Sequence, residues 1–238
     1  MISKTTSVHD IIAGNKALES VIERLGFEKR NLHFQLEDLC SLHNTDADFV
    51  ILVIKAFSEG VSFPADELKS FSLELTLDYL KKTHNFYLNK KIPEIELSFT
   101  SMCRDFSYSH PQLLILAKLF MDYKKDLVEH IDDEEYVLFP YIEELIKVKQ
   151  KGKSVKALGL DRYSIENFHD EHHHEEEILT QIRETIEARF RKNRVPMPFR
   201  VFLNQIEMLE IDLLIHARIE DEVLIPLARG LEKEVKSN

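Results

Sequence analysis

The sequence predicts an all-α protein: a four-helix metal-binding bundle over residues 66–235, preceded by a small helical domain over residues 1–62. Three observations carry this. Apolar residues recur at alternating spacings of three and four along almost the whole chain, with no sustained period-two alternation. Glycine is scarce, at 6, and Leu, Glu, Lys and Ile dominate, a balance that favours helices with few tight turns. One eleven-residue phrase occurs twice, in the part assigned to the bundle.

In the N-terminal domain Ser7 is placed to cap a helix through Val8–Ile12. Lys16–Leu25 is amphipathic through Leu18, Val21, Ile22 and Leu25, and Gly26 stops it. A further helix covers Phe34 to Leu42. Asp46 opens another, whose dense run Phe49–Ile54 predicts burial on most sides. Gly60 and Pro64 mark the linker.

From Asp66 one stripe runs Leu73, Leu77, Leu80, His84, Leu88 and resumes as Ile92, Ile95, Phe99, Met102, Phe106. Pro93 lies inside it and should kink or break the helix. The next helix begins at His110-Pro111, with the stripe Leu113, Leu116, Phe120, Tyr123, Leu127, His130, Glu134, Val137, Tyr141. Lys147–Lys156 reads as a solvated basic connection. The third bundle helix is expected from Asp161 to Phe190, on the stripe Ile165, Phe168, His172, Glu175, Leu179, Ile182, Ile186. Pro196 and Pro198 separate it from a last helix with the stripe Phe202, Ile206, Leu209, Leu213, His216, Glu220, Val223, Leu227.

The repeated phrase is HIDDEEYVLFP at 130–140 and HARIEDEVLIP at 216–226, both H-x-x-x-E-[DE]-x-V-L-x-P. Residues i and i+4 share a helix face, so each copy aims an imidazole and a carboxylate the same way. Taken alone, H-x-x-x-E is most often an ordinary surface pair. Here both copies fall on core-facing stripes, where a carboxylate without a cation is costly. His172 and His84 also sit on stripes of separate helices. Successive helix residues point about 100° apart, so His172 faces inward and His173 and His174 do not. His169 and Glu175 remain outer partners. A lone core histidine is often only hydrogen-bonded, which bears on His84 most. His9, His33, His43 and His110 have no pattern of this kind and read as structural or solvated.

His84, His130, Glu134, His172, His216 and Glu220 are therefore the candidate metal ligands. A nitrogen–oxygen set without thiolate excludes a Cys-rich structural zinc and suits a pair of iron ions, with zinc or manganese as competitors. Pro140 and Pro226 should distort their helices just past the ligand turns. The formal net charge of −11 argues against nucleic acid as a partner. Cys40 and Cys103 are expected as free thiols in a reducing cytosol. No stretch approaches a membrane span and no apolar signal core follows Met1, so a soluble, cytoplasmic protein is expected.

At these residues the chain resembles the hemerythrin-like proteins, particularly the family named for repair of iron centres. The two phrases, EHHHEEEIL at 171–179, YLKKTHNFYLNKKIPEIE at 79–96 and the N-terminal stretch over 7–59 carry the resemblance. It implies a hemerythrin-like four-helix bundle with a non-haem di-iron centre on the six ligands. It also implies a role in iron–sulfur cluster repair or the nitrosative and oxidative stress response, by iron donation or nitric oxide chemistry. The alternative is oxygen or nitric oxide binding or sensing without turnover. The implied partners are a small diatomic ligand (oxygen or nitric oxide) or damaged iron–sulfur proteins, with a homodimer left open and no membrane.

Two departures stand out. The family commonly carries a Cys pair after the glycine of its second helix, where this chain has Gly26-Phe27-Glu28-Lys29-Arg30. Many relatives have a further His near the position of Phe106. Either that coordination position is open here, or His110, four residues later, substitutes. A straight helix puts Phe106 about 33 Å from His84, so both line one site only if the chain turns sharply.

Overall fold

The computed structural model describes residues 2–27, 31–58, 62–151, 164–168, 173–190 and 195–237. Among them the chain is all-helical, with no strand. An isolated bridge between Ser7 and Gln35 is the β-type pairing present. No helix among them is long and apolar enough to cross a membrane. The Cα trace forms two compact units, one of residues 1–83 and 215–227, the other of residues 84–214 and 228–238.

In the first unit, α1 (Val8–Gly14) starts at Ser7, whose hydroxyl accepts the Asp10 N–H. α2 (Leu18–Arg24) ends as Gly26 turns to φ +83°, with Phe27 N–H donating to the Ile22 carbonyl and Gly26 N–H to Glu23. A Cβ at Gly26 would sit 3.1 Å from His43 Nδ1, so both conformation and space favour glycine there. α3 (Leu36–Leu42) precedes α4 (Ala47–Ala56), which Asp46 caps through Asp48 and Phe49. The dense run of α4 is buried as its sequence predicts, with Phe49 edge-on to Phe71 and Tyr79. Short α5 (Ala65–Leu68) follows Pro64, and Arg218 lies 4.2 Å over the Phe63 ring.

The second unit holds the aromatic core. α6 (Leu73–Phe86) passes into α7 (Ile92–Phe106) without a break, through a π-turn over Tyr87–Lys91. Pro93 therefore widens the helix instead of ending it. α8 (Leu113–Asp133) and α9 (Phe139–Lys151) are joined in the same way by a π-turn at Glu134–Leu138. α11 (Met197–Ile219) and α12 (Ile225–Ser237) are joined by one at Glu220–Leu224. The third bundle helix is shorter than its stripe predicts: a 3₁₀ turn at Ile165–Phe168, then α10 (His173–Phe190).

α7, α8, α10 and α11 bury one shared apolar face of Ile95, Phe99, Leu116, Phe120, Leu179, Ile182, Phe202 and Ile206. Phe99 lies 4.8 Å from Phe202 and 5.4 Å from Phe120, ring centre to ring centre. Lys124–Glu96 ties α8 to α7, and Arg183–Glu210 ties α10 to α11. Cys40 is buried and Cys103 half-buried, both as free thiols.

Phe202 is fully buried at the centre of that aromatic stack. Phe202→Ala is expected to cost about 3–5 kcal/mol by cavity formation, read from urea unfolding monitored by far-UV circular dichroism.

Candidate metal centre

Each π-turn has the same origin. A proline has no N–H to give to the carbonyl four residues back, and its ring crowds that carbonyl. The residue just before each proline reaches one residue further: Ile92 N–H bonds to Tyr87, Phe139 to Glu134, and Ile225 to Glu220. A single wide turn thus sits directly before Pro93, Pro140 and Pro226, in the form often seen at functional sites.

The wide turn changes which residues in and after it are buried, although Tyr141 and Val223 stay inside where the stripes place them. Val137 and Leu227 are only half-buried, where the stripes place them inside, while Leu138, Phe139, Ile142 and Ala228 go fully into the core. The three turns share one burial register. Tyr87, Ile92 and Ile95, then Glu134, Phe139 and Ile142, then Glu220, Ile225 and Ala228 are all buried. Two of the three turns therefore open on a buried carboxylate. The third opens on Tyr87, whose hydroxyl donates to the buried Asp212 carboxylate at 3.1 Å. This third copy lacks the His-Glu pair, and only its proline, six residues after the buried position, marks it in the sequence.

Glu134, 4% exposed, stands between two imidazoles. Its Oε1 is 3.1 Å from His130 Nε2 and its Oε2 is 3.1 Å from His84 Nε2. On the far side of His84, Nδ1 lies 2.8 Å from Glu135 Oε1, and the Phe139 ring stacks parallel on the imidazole, 5.3 Å between centres. In the second phrase His216 Nε2 is 3.8 Å from Glu220 Oε2, and Glu220 is 1% exposed.

Within the second unit Glu134 therefore belongs to two sets, one with His84 and one with His130. Both sets offer nitrogen and oxygen donors to a metal ion. Of the six residues expected from the sequence, His84, His130 and Glu134 meet in the second unit, and His216 and Glu220 pair within the first. His172 lies outside the described residues, as does His169.

His110 is not a substitute ligand. Its ring packs edge-on against Phe199, 5.5 Å between centres, and lies against Phe106. His110 lies before the start of α8 at Leu113, and from Leu113 to His130 the helix rises about 26 Å at 1.5 Å per residue. Phe106 shares that aromatic cluster, in contact with Phe199 as well. Neither residue lines the site, because the wide turn at Pro93 keeps α6 and α7 in sequence as helix and supplies no sharp reversal. Glu135 and Tyr87 are the residues that sequence reasoning misses. The acidic residue following each phrase's glutamate, Glu135 or Asp221, was the available signal for the first.

The donor set fits a cation. Buried carboxylates and imidazoles in mutual reach need positive charge, and nitrogen–oxygen donors suit a divalent first-row metal. Without a metal, a proton supplies that charge. Burial opposes a charged His84, but hydrogen bonds to Glu134 and Glu135 outweigh it and raise its pKa above the usual histidine value. No protein-family model matches this chain, and no curated protein matches it in sequence. The metal reading therefore rests on these side chains.

A raised folded-state pKa gives stability that is complete below the unfolded value, about 6.5, and is lost as pH rises through the folded one. In metal-free protein, the melting temperature of wild type minus that of His84→Gln is expected to shrink between pH 6 and pH 8.5. Thermal melts of both proteins across that range check this. A difference that grows with pH contradicts the assignment.

Proposed function

We propose that this protein is a dinuclear metal protein in which Glu134 is shared by two ions. His84 would serve one position and His130 the other, and the doubled phrase points to His216 and Glu220 as further ligands. The observation that carries the proposal is that each oxygen of the buried Glu134 carboxylate faces a different imidazole at 3.1 Å. A carboxylate approached in this way has one oxygen for each of two cations, and none of these residues is a thiolate that would favour structural zinc.

The metal we propose is iron, and the family reading is a hemerythrin-like protein of the iron-centre repair type. The support is the doubled H-x-x-x-E-[DE]-x-V-L-x-P phrase, with both glutamates buried. A bound ferrous pair would supply electrons and exchangeable coordination positions to oxygen or nitric oxide. The protein's own part is to share the carboxylate and to hold His84 between Glu134 and the buried Phe139 ring. The proposed role is repair of damaged iron–sulfur proteins or defence against nitrosative and oxidative stress, by iron donation or nitric oxide chemistry in the cytoplasm.

Reversible oxygen or nitric oxide binding without turnover is the second reading. It is favoured by Phe27, which is buried against the His43 ring where the resembling family carries thiols. Metal analysis and an optical spectrum of anaerobically purified protein, before and after oxygen or nitric oxide, test both. A spectrum that returns on removing the gas supports binding alone, and protein that holds no iron overturns both.

If Glu134 serves both positions, Glu134→Ala should lose nearly all metal from a wild-type content of about two ions per chain. Glu220→Ala should retain more, because it serves one position. Elemental analysis after reconstitution gives the comparison, and equal retention by the two variants would exclude the shared carboxylate.

A further inference from the structure

We infer that Glu135 is a positioning residue of the centre: it holds the His84 imidazole with Nδ1 protonated, so that Nε2 is the atom offered to a metal. The inference rests on the metal reading above and adds a residue that takes no part in coordination.

The geometry is confined to one turn. Glu134, Glu135 and Phe139 all belong to the segment widened by Pro140, and all three touch the same imidazole. Glu134 meets Nε2 at 3.1 Å, Glu135 meets Nδ1 at 2.8 Å, and Phe139 covers the ring face at an interplanar angle of 3°. A half-turn of the ring would put Cδ2 and Cε1 where Nδ1 and Nε2 now stand, so the two carboxylate contacts together hold this orientation. A charged imidazole donates to both carboxylates, and a cation at Nε2 would displace that proton and leave the N–H on Nδ1, where Glu135 accepts it. The Nε2 lone pair would then be directed to the cation that Glu134 shares. A histidine oriented by a carboxylate on its other nitrogen is also a stronger donor to a metal.

His84 has particular need of such a device. His130 and His216 each stand four residues before a carboxylate on their own helix, whereas His84 comes from α6 with no such partner in sequence. Its orientation must come from another helix, and the turn after α8 provides it. Glu135 is partly exposed, with 27% of its side-chain surface accessible, so it can be replaced without opening the core.

The test uses Zn²⁺ alone as the probe, with wild type, Glu135→Ala, Glu135→Gln and His84→Ala compared by chelator competition. Loss of an outer partner of this kind is expected to weaken zinc binding about 10–100-fold in Glu135→Ala. Glu135→Gln, which keeps an acceptor oxygen, should recover part of that loss. In zinc-loaded, ¹⁵N-histidine-labelled protein, the His84 signals should show a protonated Nδ1 and a metal on Nε2, with that pattern weakened in Glu135→Ala. Wild-type affinity in Glu135→Ala, alongside a clear loss in His84→Ala, overturns the inference and leaves the metal centre standing. Zinc on Nδ1 of His84 also overturns it. Failure of wild type to take up zinc, or any of the first-row metals, removes the metal reading and this inference with it.

Discussion

A proline inside a helix leaves one carbonyl without its usual donor, and this chain meets that constraint three times with the same answer. The turn before Pro93, Pro140 and Pro226 widens so that the preceding residue bonds five positions back. In each case the residue opening the wide turn is buried, and the residue before the proline is buried beside it. Two of those opening residues are Glu134 and Glu220. The prolines thus act on the site from six residues away: they decide which side chain a core-facing turn presents, and hold the helix in a register that an unbroken α-helix would not keep.

Burying carboxylates in this way is costly unless positive charge is close. The phrase answers this within itself, by placing a histidine four residues earlier on the same face. His84 adds a second imidazole to Glu134 from another helix, and Glu135 and Phe139 fix that imidazole in turn. Protons or metal ions can each supply the charge, and they compete for His84 Nε2. A site of this kind takes up metal with release of protons, so acid weakens binding. The same arrangement explains why replacing one partner alone should be damaging, since it leaves the others buried without compensation.

Much of this was legible from local sequence. Ser7, Asp46 and Gly26 act at helix ends as their chemistry dictates, because capping involves residues only two to five apart. The doubled phrase led to His130, Glu134, His216 and Glu220 because i and i+4 share a face. What was not legible depends on the wide turns. A reading in steps of three and four puts Val137 and Leu227 inside, and with the extra residue in each turn Leu138 and Ala228 are buried instead. Glu135 escaped because its partner, His84, lies on a different helix 51 positions away in the chain. His110 read as structural or solvated, and its place four residues after Phe106 made it only the alternative to an open coordination position. In the fold both belong to an aromatic cluster with Phe199, at the end of α8 remote from His130.

The third wide turn sets the limit of the centre. Tyr87 stands where Glu134 and Glu220 stand in the other two, and a phenol there adds no charge. Its hydroxyl donates to Asp212, one helical turn before His216, and Asp212 belongs to neither of the two ligand sets. A carboxylate at position 87 would bring a further negative charge beside Asp212, with no histidine four residues earlier to offset it, since that place is held by buried Thr83. The tyrosine satisfies the same register with a neutral donor. Three turns of one design therefore bury two carboxylates that could serve a metal ion and one hydrogen-bonded tyrosine that could not replace them.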